Sequence, residues 1–256
     1  MRLLNSSILD TRRHIMYIHS ETIAGDTVLV KNYHSNRYRK KVPDRAPATG
    51  KCTESQEDAH KRRDIEELTI RLNENFHPKD YYMTFTYRLD ARPETVEQAK
   101  KDRTELLRRL RRLYKRQGKE LKFIAVTEFG KQGALHHHMV FNSDVDYRLI
   151  ADCWDKGRAK LEELEEEREY SKLAAYIVKS RDKWKANGGK GRMWTCSRNL
   201  VRPPTKRWIR RAKSFLDEPR AKKGWRIIKD TMVQGYTDEG HPYQKYMMIR
   251  SRGDPP

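Results

Sequence analysis

Hydrophobic and polar residues alternate, or recur with helical spacing, along the middle of the chain. Residues Tyr81–Tyr87 are mostly aromatic or β-branched and point alternately to two faces, which predicts a β-strand. After Pro93, leucines recur at three- and four-residue spacing until Gly118, which predicts a helix of about six turns. An amphipathic helix is also expected over Ser55–Asn75. This region is therefore expected to contain a helix, a strand and a second helix in that order.

Two further strands are expected to form a hairpin. Lys122–Glu128 and Leu135–Phe141 are rich in apolar, β-branched and aromatic residues, as strands are. Between them, Gly130 and Gly133 supply the backbone freedom that a hairpin turn needs. The sequence therefore predicts an antiparallel pair that is symmetric about Gln132.

The rest of the central region predicts a mixed fold. A long helical stretch is expected over Arg158–Trp184, either continuous or interrupted near Tyr170. A strand is expected over Arg192–Ser197. The resulting order is β-α-β-β-α-β, which predicts an α+β, ferredoxin-like split arrangement around a central antiparallel sheet. Two short strands are also expected within Gly224–Arg250.

Basic segments flank this central fold. Residues 30–51 are polar and basic and lack the apolar residues of a packed core, so they are expected to form an arm. The expected organisation is a basic N-terminal arm and helix over residues 1–77, a central domain over 78–200 and a basic C-terminal extension over 201–256.

The charge of the chain points to a polyanionic partner. Its 256 residues include 56 Lys and Arg against 36 Asp and Glu, which gives a formal net charge of +20. No apolar run approaches the length of a transmembrane helix, and Asn5, Ser6 and Ser7 interrupt the N-terminal segment, so neither a membrane span nor a signal peptide is expected. Three widely spaced cysteines do not suggest a disulfide framework. A cytoplasmic protein that binds nucleic acid is the expectation.

Three consecutive histidines lie in the second hairpin strand. Strand alternation points His136 and His138 to one face and His137 to the other, apolar face, where it is expected to be a neutral core residue. The symmetric hairpin places Glu128 opposite His136 and on the same face as both outer histidines. One carboxylate and two imidazoles with open positions suit a divalent ion that also binds water or phosphate oxygen.

A tyrosine between two lysines is the second candidate. In the predicted helix, Lys172, Tyr176 and Lys179 share one face at i, i+4 and i+7. Nearby ammonium groups would favour the phenolate and attract a phosphodiester. A half-buried tyrosine in an ordinary amphipathic helix is the alternative.

Taken together, Glu128, the run His136–His138 and the segment Tyr176–Lys179 resemble the HUH endonucleases, specifically the single-tyrosine rolling-circle replication initiators of plasmids and single-stranded DNA phages. The resemblance covers about Tyr81–Leu200 and includes the strand Tyr82–Tyr87. The sequence departs from the family at His137, where a hydrophobic residue is usual.

The resemblance implies an activity and roles for these residues. A divalent ion, Mg²⁺ or Mn²⁺, would bind Glu128, His136 and His138 and polarise the scissile phosphate, which Tyr176 would attack with help from Lys179. The products would be a 5′-phosphotyrosine bond and a free 3′-hydroxyl, and the reverse reaction would rejoin the strand. Ser180 stands where two-tyrosine members carry a second tyrosine, which implies one nucleophile per chain.

The expected partner is single-stranded DNA at a replication origin, which a hairpin can present. The sequence has no Walker A motif, so a separate host helicase and polymerase would be needed. The candidate DNA-binding residues are basic positions on and after the predicted catalytic segment: Lys172, Arg192, Arg198, Lys206, Arg207 and Arg210.

Two other functions fit parts of the pattern. A single-tyrosine transposase or a relaxase would use the same site on different DNA. A non-enzymatic module that binds single-stranded nucleic acid would instead stack bases on Tyr82 and Phe85, but this reading leaves Glu128 beside His136 unexplained.

Overall fold

The computed structural model describes residues 16–35, 54–130, 133–179, 181–187, 194–210, 218–237 and 240–251. The predicted arm beyond residue 35 and Arg192 lie outside these residues. In the part that is described, no helix is both long and apolar enough to cross a membrane.

Secondary structure in the described residues is mixed, which confirms the α+β class. The strands are β1 (Met16–Ala24), β2 (Thr27–Ser35), β3 (Tyr81–Tyr87), β4 (Phe123–Phe129), β5 (Leu135–Phe141), β6 (Gly157–Glu163), β7 (Trp194–Cys196), β8 (Thr205–Arg210), β9 (Trp225–Tyr236) and β10 (Pro242–Arg250). The helices are α1 (Glu54–Asn75), α2 (Val96–Arg116), α3 (Tyr147–Ala151), α4 (Ser171–Lys179) and α5 (Arg181–Ala186), with a 3₁₀ turn at Leu89–Ala91.

The chain divides into two compact units. Unit 1 combines residues up to Ile23, residues 28–51 and residues from Pro204 onward, and unit 2 contains Ala24–Thr27 and Cys52–Pro203. Unit 2 contains the five-stranded sheet β6-β3-β5-β4-β7, in which all four neighbouring strand pairs are antiparallel. Because β5 lies between β3 and β4 and runs against both, β3, α2 and β4 form a split β-α-β unit.

Apolar side chains from both faces of this sheet are buried. On one face, Ile124, Val126 and Val140 belong to a cluster with residues of α1 and α4. On the other face, Phe85 and Met139 belong to a second cluster with α2 and α3. This division follows the alternation of the strands, so neighbouring residues of β5 face different surroundings.

Local sequence explains the length of α2. Thr95 caps its N-terminus by accepting a hydrogen bond from the Gln98 backbone N–H at 3.1 Å, and Lys115 and Arg116 lie in its last turn, where positive charge is favourable. Its buried leucines are those whose spacing predicts the helix: Leu106, Leu107, Leu110 and Leu113.

The predicted helix over Arg158–Trp184 was wrong in its first part. Residues Gly157–Glu163 form the edge strand β6, paired with β3, and helix begins only at Ser171. Ala, Lys, Leu and Glu are good helix formers, but pairing along β3 overrides that preference. Gly157 permits the close approach, since a Cβ there would lie 2.0 Å from the Thr86 carbonyl oxygen.

Unit 1 contains the second sheet, in the order β8-β1-β2-β10-β9. Its apolar centre includes Val28, Val30, Tyr246 and Met248. The expectation that a coreless arm begins at residue 30 was therefore wrong for residues 30–35, which belong to β2. The two strands expected near the C-terminus are present as β9 and β10, and β8 was not predicted as a strand.

Candidate active site

The β4–β5 hairpin brings together the predicted carboxylate and imidazoles. Glu128 pairs with His136 in the register that hairpin symmetry predicts. Glu128 Oε1 lies 2.9 Å from His136 Nε2 and 2.8 Å from His138 Nε2, and the three candidate ligand atoms lie within 4.8 Å of one another. Glu128 and His138 are buried, whereas the His136 side chain is 16% exposed. The grouping is open to solvent on the side of His136.

Neighbouring oxygen atoms orient the two imidazole rings. His136 Nδ1 lies 3.3 Å from the Ala134 carbonyl oxygen, which can only accept a hydrogen bond, so this nitrogen carries a proton. His138 Nδ1 contacts the Tyr82 hydroxyl at 2.8 Å and the Thr84 hydroxyl at 3.0 Å. Both Nε2 atoms consequently face Glu128, and such outer contacts are typical of metal-binding histidines.

These donor atoms fit a divalent ion. Two imidazole nitrogens and one carboxylate oxygen converge within 4.8 Å of one another, so a single cation between them can contact all three. Imidazole binds first-row transition metals, and the carboxylate extends the set to Mn²⁺ and Mg²⁺. The group Glu128, His136 and His138 could therefore hold a metal ion.

Helix α4 places Tyr176 at the edge of this group. The Tyr176 hydroxyl donates a hydrogen bond to Glu128 Oε1 at 3.4 Å, and its ring meets the His138 ring nearly edge-on at 5.7 Å between centroids. Ala174, Ile177 and Val178 anchor the helix in the core, so Tyr176 stays on the outer side, 46% exposed. The tyrosine is thus fixed beside the candidate metal ligands and accessible to a substrate.

The expectation that lysines favour the Tyr176 phenolate was wrong. Partial burial raises the pKa of Tyr176, and the charge of Glu128 raises this pKa further. Lys172 and Lys179 are both exposed, and the pKa of Tyr176 is raised although both lysines lie in the same helix. The carboxylate that opposes ionisation is also the one whose charge a bound cation would offset.

A cavity of about 390 Å³ opens beside Tyr176. Tyr82, His138 and Lys172 line it, together with carboxylates from β6 and from the loop before α4: Glu162, Glu163, Glu165 and Glu169. These carboxylates belong to the acidic run of the sequence. They do not form one helix face, because Glu162 and Glu163 lie in β6 and Glu165 and Glu169 precede α4.

The back of the hairpin holds a continuous chain of hydrogen bonds. Arg103 Nη1 donates to Thr127 Oγ1 at 2.9 Å, so the Thr127 hydroxyl donates to His137 Nδ1 at 2.8 Å. His137 Nε2 then donates to the Tyr87 oxygen at 2.8 Å, and Tyr87 donates to Asp102 at 3.2 Å. Burial, then the charge of Arg103, holds the pKa of His137 well below its usual value. The neutral, buried His137 expected from the sequence is confirmed, but its polar partners were not predicted.

The predicted DNA-binding residues lie in separate places. Lys172 is beside Tyr176, whereas Arg198 follows β7 at the opposite edge of the same sheet. Three more lie in unit 1, on the edge strand β8, whose residues are all exposed: Lys206, Arg207 and Arg210. Arg192 lies outside the described residues.

Two basic residues on the candidate catalytic face were missed. Arg158 pairs with Thr86 and Lys160 with Thr84, so strand alternation places both on the same face as His136 and His138. Both are exposed, and Lys160 Nζ lies 2.7 Å from Glu162. The alternation of residues 158–162 was the available signal, but their helix-forming composition masked it.

The base-stacking surface expected for a binding module is incomplete. Phe85 is 0% exposed and packs in the cluster behind the sheet, so it cannot stack on a base. Tyr82 stacks instead on His138, at 5.4 Å between ring centroids and an interplanar angle of 4°. The geometry of the site therefore favours an enzyme over a module that stacks bases on Tyr82 and Phe85.

Comparisons with known proteins agree with this reading at a coarse level. The model of a family described as replication-associated protein matches residues 80–181, less than half of the chain. Comparisons with curated proteins and with solved structures found no significant match. The matched segment includes the Glu/His group and Tyr176, and it supports a role in DNA replication that involves contact with DNA at an origin. The part of this chain that bears the candidate site is similar to replication-associated proteins.

Proposed function

We propose that the chain is a rolling-circle replication initiator that nicks and rejoins single-stranded DNA through a 5′-phosphotyrosine at Tyr176. The observation that carries the proposal is the position of the Tyr176 hydroxyl, 3.4 Å from Glu128 Oε1 in a group that also contains His136 and His138. The match of residues 80–181 to replication-associated proteins favours replication over transposition or plasmid transfer.

The strand order of unit 2 supports an HUH endonuclease fold. In the series β6-β3-β5-β4, the four strands take the positions of the fourth, first, third and second strands of a ferredoxin-like sheet. On this view β6, rather than the predicted strand near residue 194, is the last strand of the fold, and β7 is an addition at the other edge. The candidate nucleophile then comes from the helical segment that follows.

The proposed reaction is a transesterification. The Tyr176 oxygen attacks the scissile phosphorus, the bond from phosphorus to the 3′ oxygen breaks, and the phenol loses its proton while the leaving 3′ oxygen gains one. A divalent ion held by Glu128, His136 and His138 would supply Lewis-acid polarisation of the phosphate. Lys179, one turn beyond Tyr176 and exposed, would hold the phosphate or assist the tyrosine or the leaving oxygen. Because one phosphoester replaces another, the same residues can rejoin the strand.

Basic side chains on the open part of the sheet face would guide the DNA. Arg158 and Lys160 lie on the face of the candidate ligands, and Lys172 lines the cavity beside Tyr176. A single strand can present its scissile phosphate to Tyr176 from this surface, and a hairpin at the origin is one way to expose such a strand. Without a Walker A motif, unwinding and synthesis fall to a host helicase and polymerase.

A labelled-strand assay tests the proposal. Single-stranded oligonucleotides from the DNA that flanks the gene are incubated with the full chain and Mn²⁺ or Mg²⁺. Label on the 3′ side of the nick should remain on the protein after denaturation, and label on the 5′ side should leave with a free hydroxyl. Tyr176→Phe should keep DNA binding but form no adduct, because it lacks only the attacking oxygen.

Tyr147→Phe is the matched control. Tyr147 is also exposed and in unit 2, but it begins α3 on the other face of the sheet, so this variant should form the adduct normally. An adduct on Tyr176→Phe, or one mapped to another residue such as Tyr170, would reject the nucleophile. DNA binding with no cleavage under any metal condition would instead favour a binding module, and activity only on transposon ends or transfer origins would favour a transposase or relaxase.

A further inference from the structure

A second cavity, of about 690 Å³, lies in unit 2 away from Tyr176. Three arginines line it: Arg103 and Arg111 from α2 and Arg198 from the segment after β7. The two arginines of α2 stand eight residues apart, and hence on one side of the helix. The volume falls within the range of small-ligand sites.

This cavity is separate from the candidate active site. It shares no lining residue with the cavity at Tyr176 and lies at the β7 edge of the sheet, whereas the other lies at the β6 edge. Phe123 lines it and belongs to the core cluster behind the sheet, and Thr195 pairs with Ala125 of that cluster. The cavity therefore opens on the face opposite Glu128 and the outer histidines.

Arg103 is a partly buried charge without a carboxylate partner in the described part of the chain. Its one hydrogen bond there joins Nη1 to the Thr127 hydroxyl, and a guanidinium has five N–H donors. Burial lowers the pKa of Arg103 to about 10, which reflects the cost of holding this charge away from water. A partly buried charge is stabilised by an opposite charge, and the cavity beside Arg103 leaves space for an anion.

The other lining groups also suit an anion. Arg111 stacks over the Phe123 ring at 5.4 Å, and among the described residues neither Arg111 nor Arg198 forms an ion pair. The Ser197 oxygen accepts the Phe123 backbone N–H at 3.1 Å, so its own hydrogen can be donated to a ligand. Glu120 is the carboxylate in the lining, against three arginines.

We propose that the cavity between α2 and β7 binds the phosphate of a nucleotide or of a polynucleotide strand, as a second anion site on the face opposite Tyr176. Planar guanidinium groups and hydroxyl donors match phosphate oxygens in geometry and charge. Binding of a free phosphate compound does not depend on the proposed nicking function. Binding of a DNA strand here would rest on that function and would add a contact beyond the cleavage site.

Pyrophosphate, in chelator and at matched ionic strength, is the probe for the full chain. We expect calorimetry to detect its binding, and melting curves to show stabilisation that rises with its concentration. The double variant Arg111→Gln with Arg198→Gln should weaken binding by about tenfold or more, since each charge-assisted contact contributes that order. Both residues are exposed, so the variant should fold.

Two controls separate the cavity from general basic attraction. Arg112→Gln removes the same charge from the next position of α2, outside the lining, and should leave pyrophosphate affinity unchanged. Glu120→Gln removes the carboxylate of the lining and should tighten binding. Equal affinity in the double variant and the unmodified protein, an equal loss in Arg112→Gln, or no binding to the unmodified protein would overturn the proposal.

DNA titrations separate the two sources of phosphate. If a strand occupies the cavity, the double variant should weaken binding to single-stranded DNA and reduce the salt dependence by about 0.7 in log–log slope per phosphate lost. If a free nucleotide is the occupant, pyrophosphate affinity should fall while the DNA slope matches that of Arg112→Gln. Either result supports the anion site and assigns its source, whether or not the oligonucleotide is cleaved.

Discussion

Each unit contains a buried carboxylate in contact with histidine, but the two arrangements differ. In unit 1, His19 Nε2 lies 3.0 Å from Glu21 Oε1, its Nδ1 lies 2.6 Å from Asn32 Oδ1, and the second oxygen of Glu21 accepts from Lys222 at 2.6 Å. Asn32 in turn donates to Gln244 at 2.9 Å. A lysine thus supplies positive charge to this carboxylate, and the network contains one imidazole.

In unit 2, two imidazoles face a single oxygen of Glu128, at 2.9 Å and 2.8 Å, and a tyrosine hydroxyl approaches the same oxygen. A contact between histidine and a carboxylate is therefore not in itself a sign of metal binding. Three features distinguish the group in unit 2. Two Nε2 atoms converge on one carboxylate, the group is accessible to solvent at His136, and the reactive side chain of Tyr176 lies at its edge.

The largest difference between the two arrangements should appear in metal affinity. His138→Ala removes one of two converging imidazoles, so we expect affinity for Mn²⁺ to fall by more than about 100-fold and strand cleavage to stop. His19→Ala should leave both properties unchanged. Calorimetric titration measures the Mn²⁺ affinity, and the labelled-strand assay measures cleavage. Equal losses in the two variants would contradict the assignment of metal binding to unit 2.

Thermal stability offers a second comparison. Mn²⁺ at about 100 times its dissociation constant should stabilise the unmodified protein by roughly 2.7 kcal/mol, because it binds only the folded site. His19→Ala should respond equally, and His136→Ala should not respond. Melting curves with and without a chelator provide the measurement. A full response in His136→Ala would show that the ion binds elsewhere.

His137 lies between the two candidate ligands of β5 and tests whether only the outer histidines bind the metal. His137→Leu fits the buried volume but leaves the hydroxyls of Thr127 and Tyr87 without their imidazole partner, so we expect a loss of roughly 1–3 kcal/mol in the free energy of unfolding. Affinity for Mn²⁺ should be retained. Denaturant unfolding and metal titration of the same sample test both statements, and a folded variant that loses Mn²⁺ would contradict them.

The smallest expected effect lies in unit 1. Burial alone would raise the pKa of Glu21, but hydrogen bonds from His19 and Lys222 outweigh burial and hold this pKa below its ordinary value of 4.5. A lowered folded-state pKa stabilises the fold above about pH 4.5, and this contribution disappears as the pH falls from there through the folded-state pKa.

Lys222→Met should therefore cost roughly 1 kcal/mol at neutral pH and progressively less below pH 4.5. Unfolding curves across this pH range, with the exposed Lys223→Met as control, measure the difference. A cost that stays constant down to acid pH would mean that Lys222 contributes by packing rather than by its charge.

The sequence was sufficient to predict those parts of the candidate site whose geometry depends on residues close together in the chain. Alternation along β5 and glycines at the turn determine which histidines share a face with Glu128, and the observed register agrees. The pKa of Tyr176 was not predictable in the same way, because helical spacing to the lysines does not reveal that a carboxylate from another element contacts its hydroxyl.

Features that depend on distant pairing were missed. Strand β6 has the composition of a helix and becomes a strand only against β3. In unit 1, Tyr17 pairs with Arg210, and no local pattern indicates a partner so far along the chain. The arginine cavity likewise joins α2 to a segment after β7. The sequence predicts elements well and their distant neighbours poorly.

Because β1 pairs with β8, the sheet of unit 1 cannot be completed until the last strands of the chain have been synthesised. The strands of the unit 2 sheet all precede Pro204 in the chain, so this sheet can form while the hairpin of β1 and β2 still lacks both of its neighbours, β8 and β10. Synthesis of those last strands takes on the order of seconds at ordinary elongation rates. During that interval Val28 and Val30 have no finished core, and the hairpin presents two open edges to other chains. Slow translation of the last segment would therefore prolong the time in which nascent chains can aggregate through unit 1.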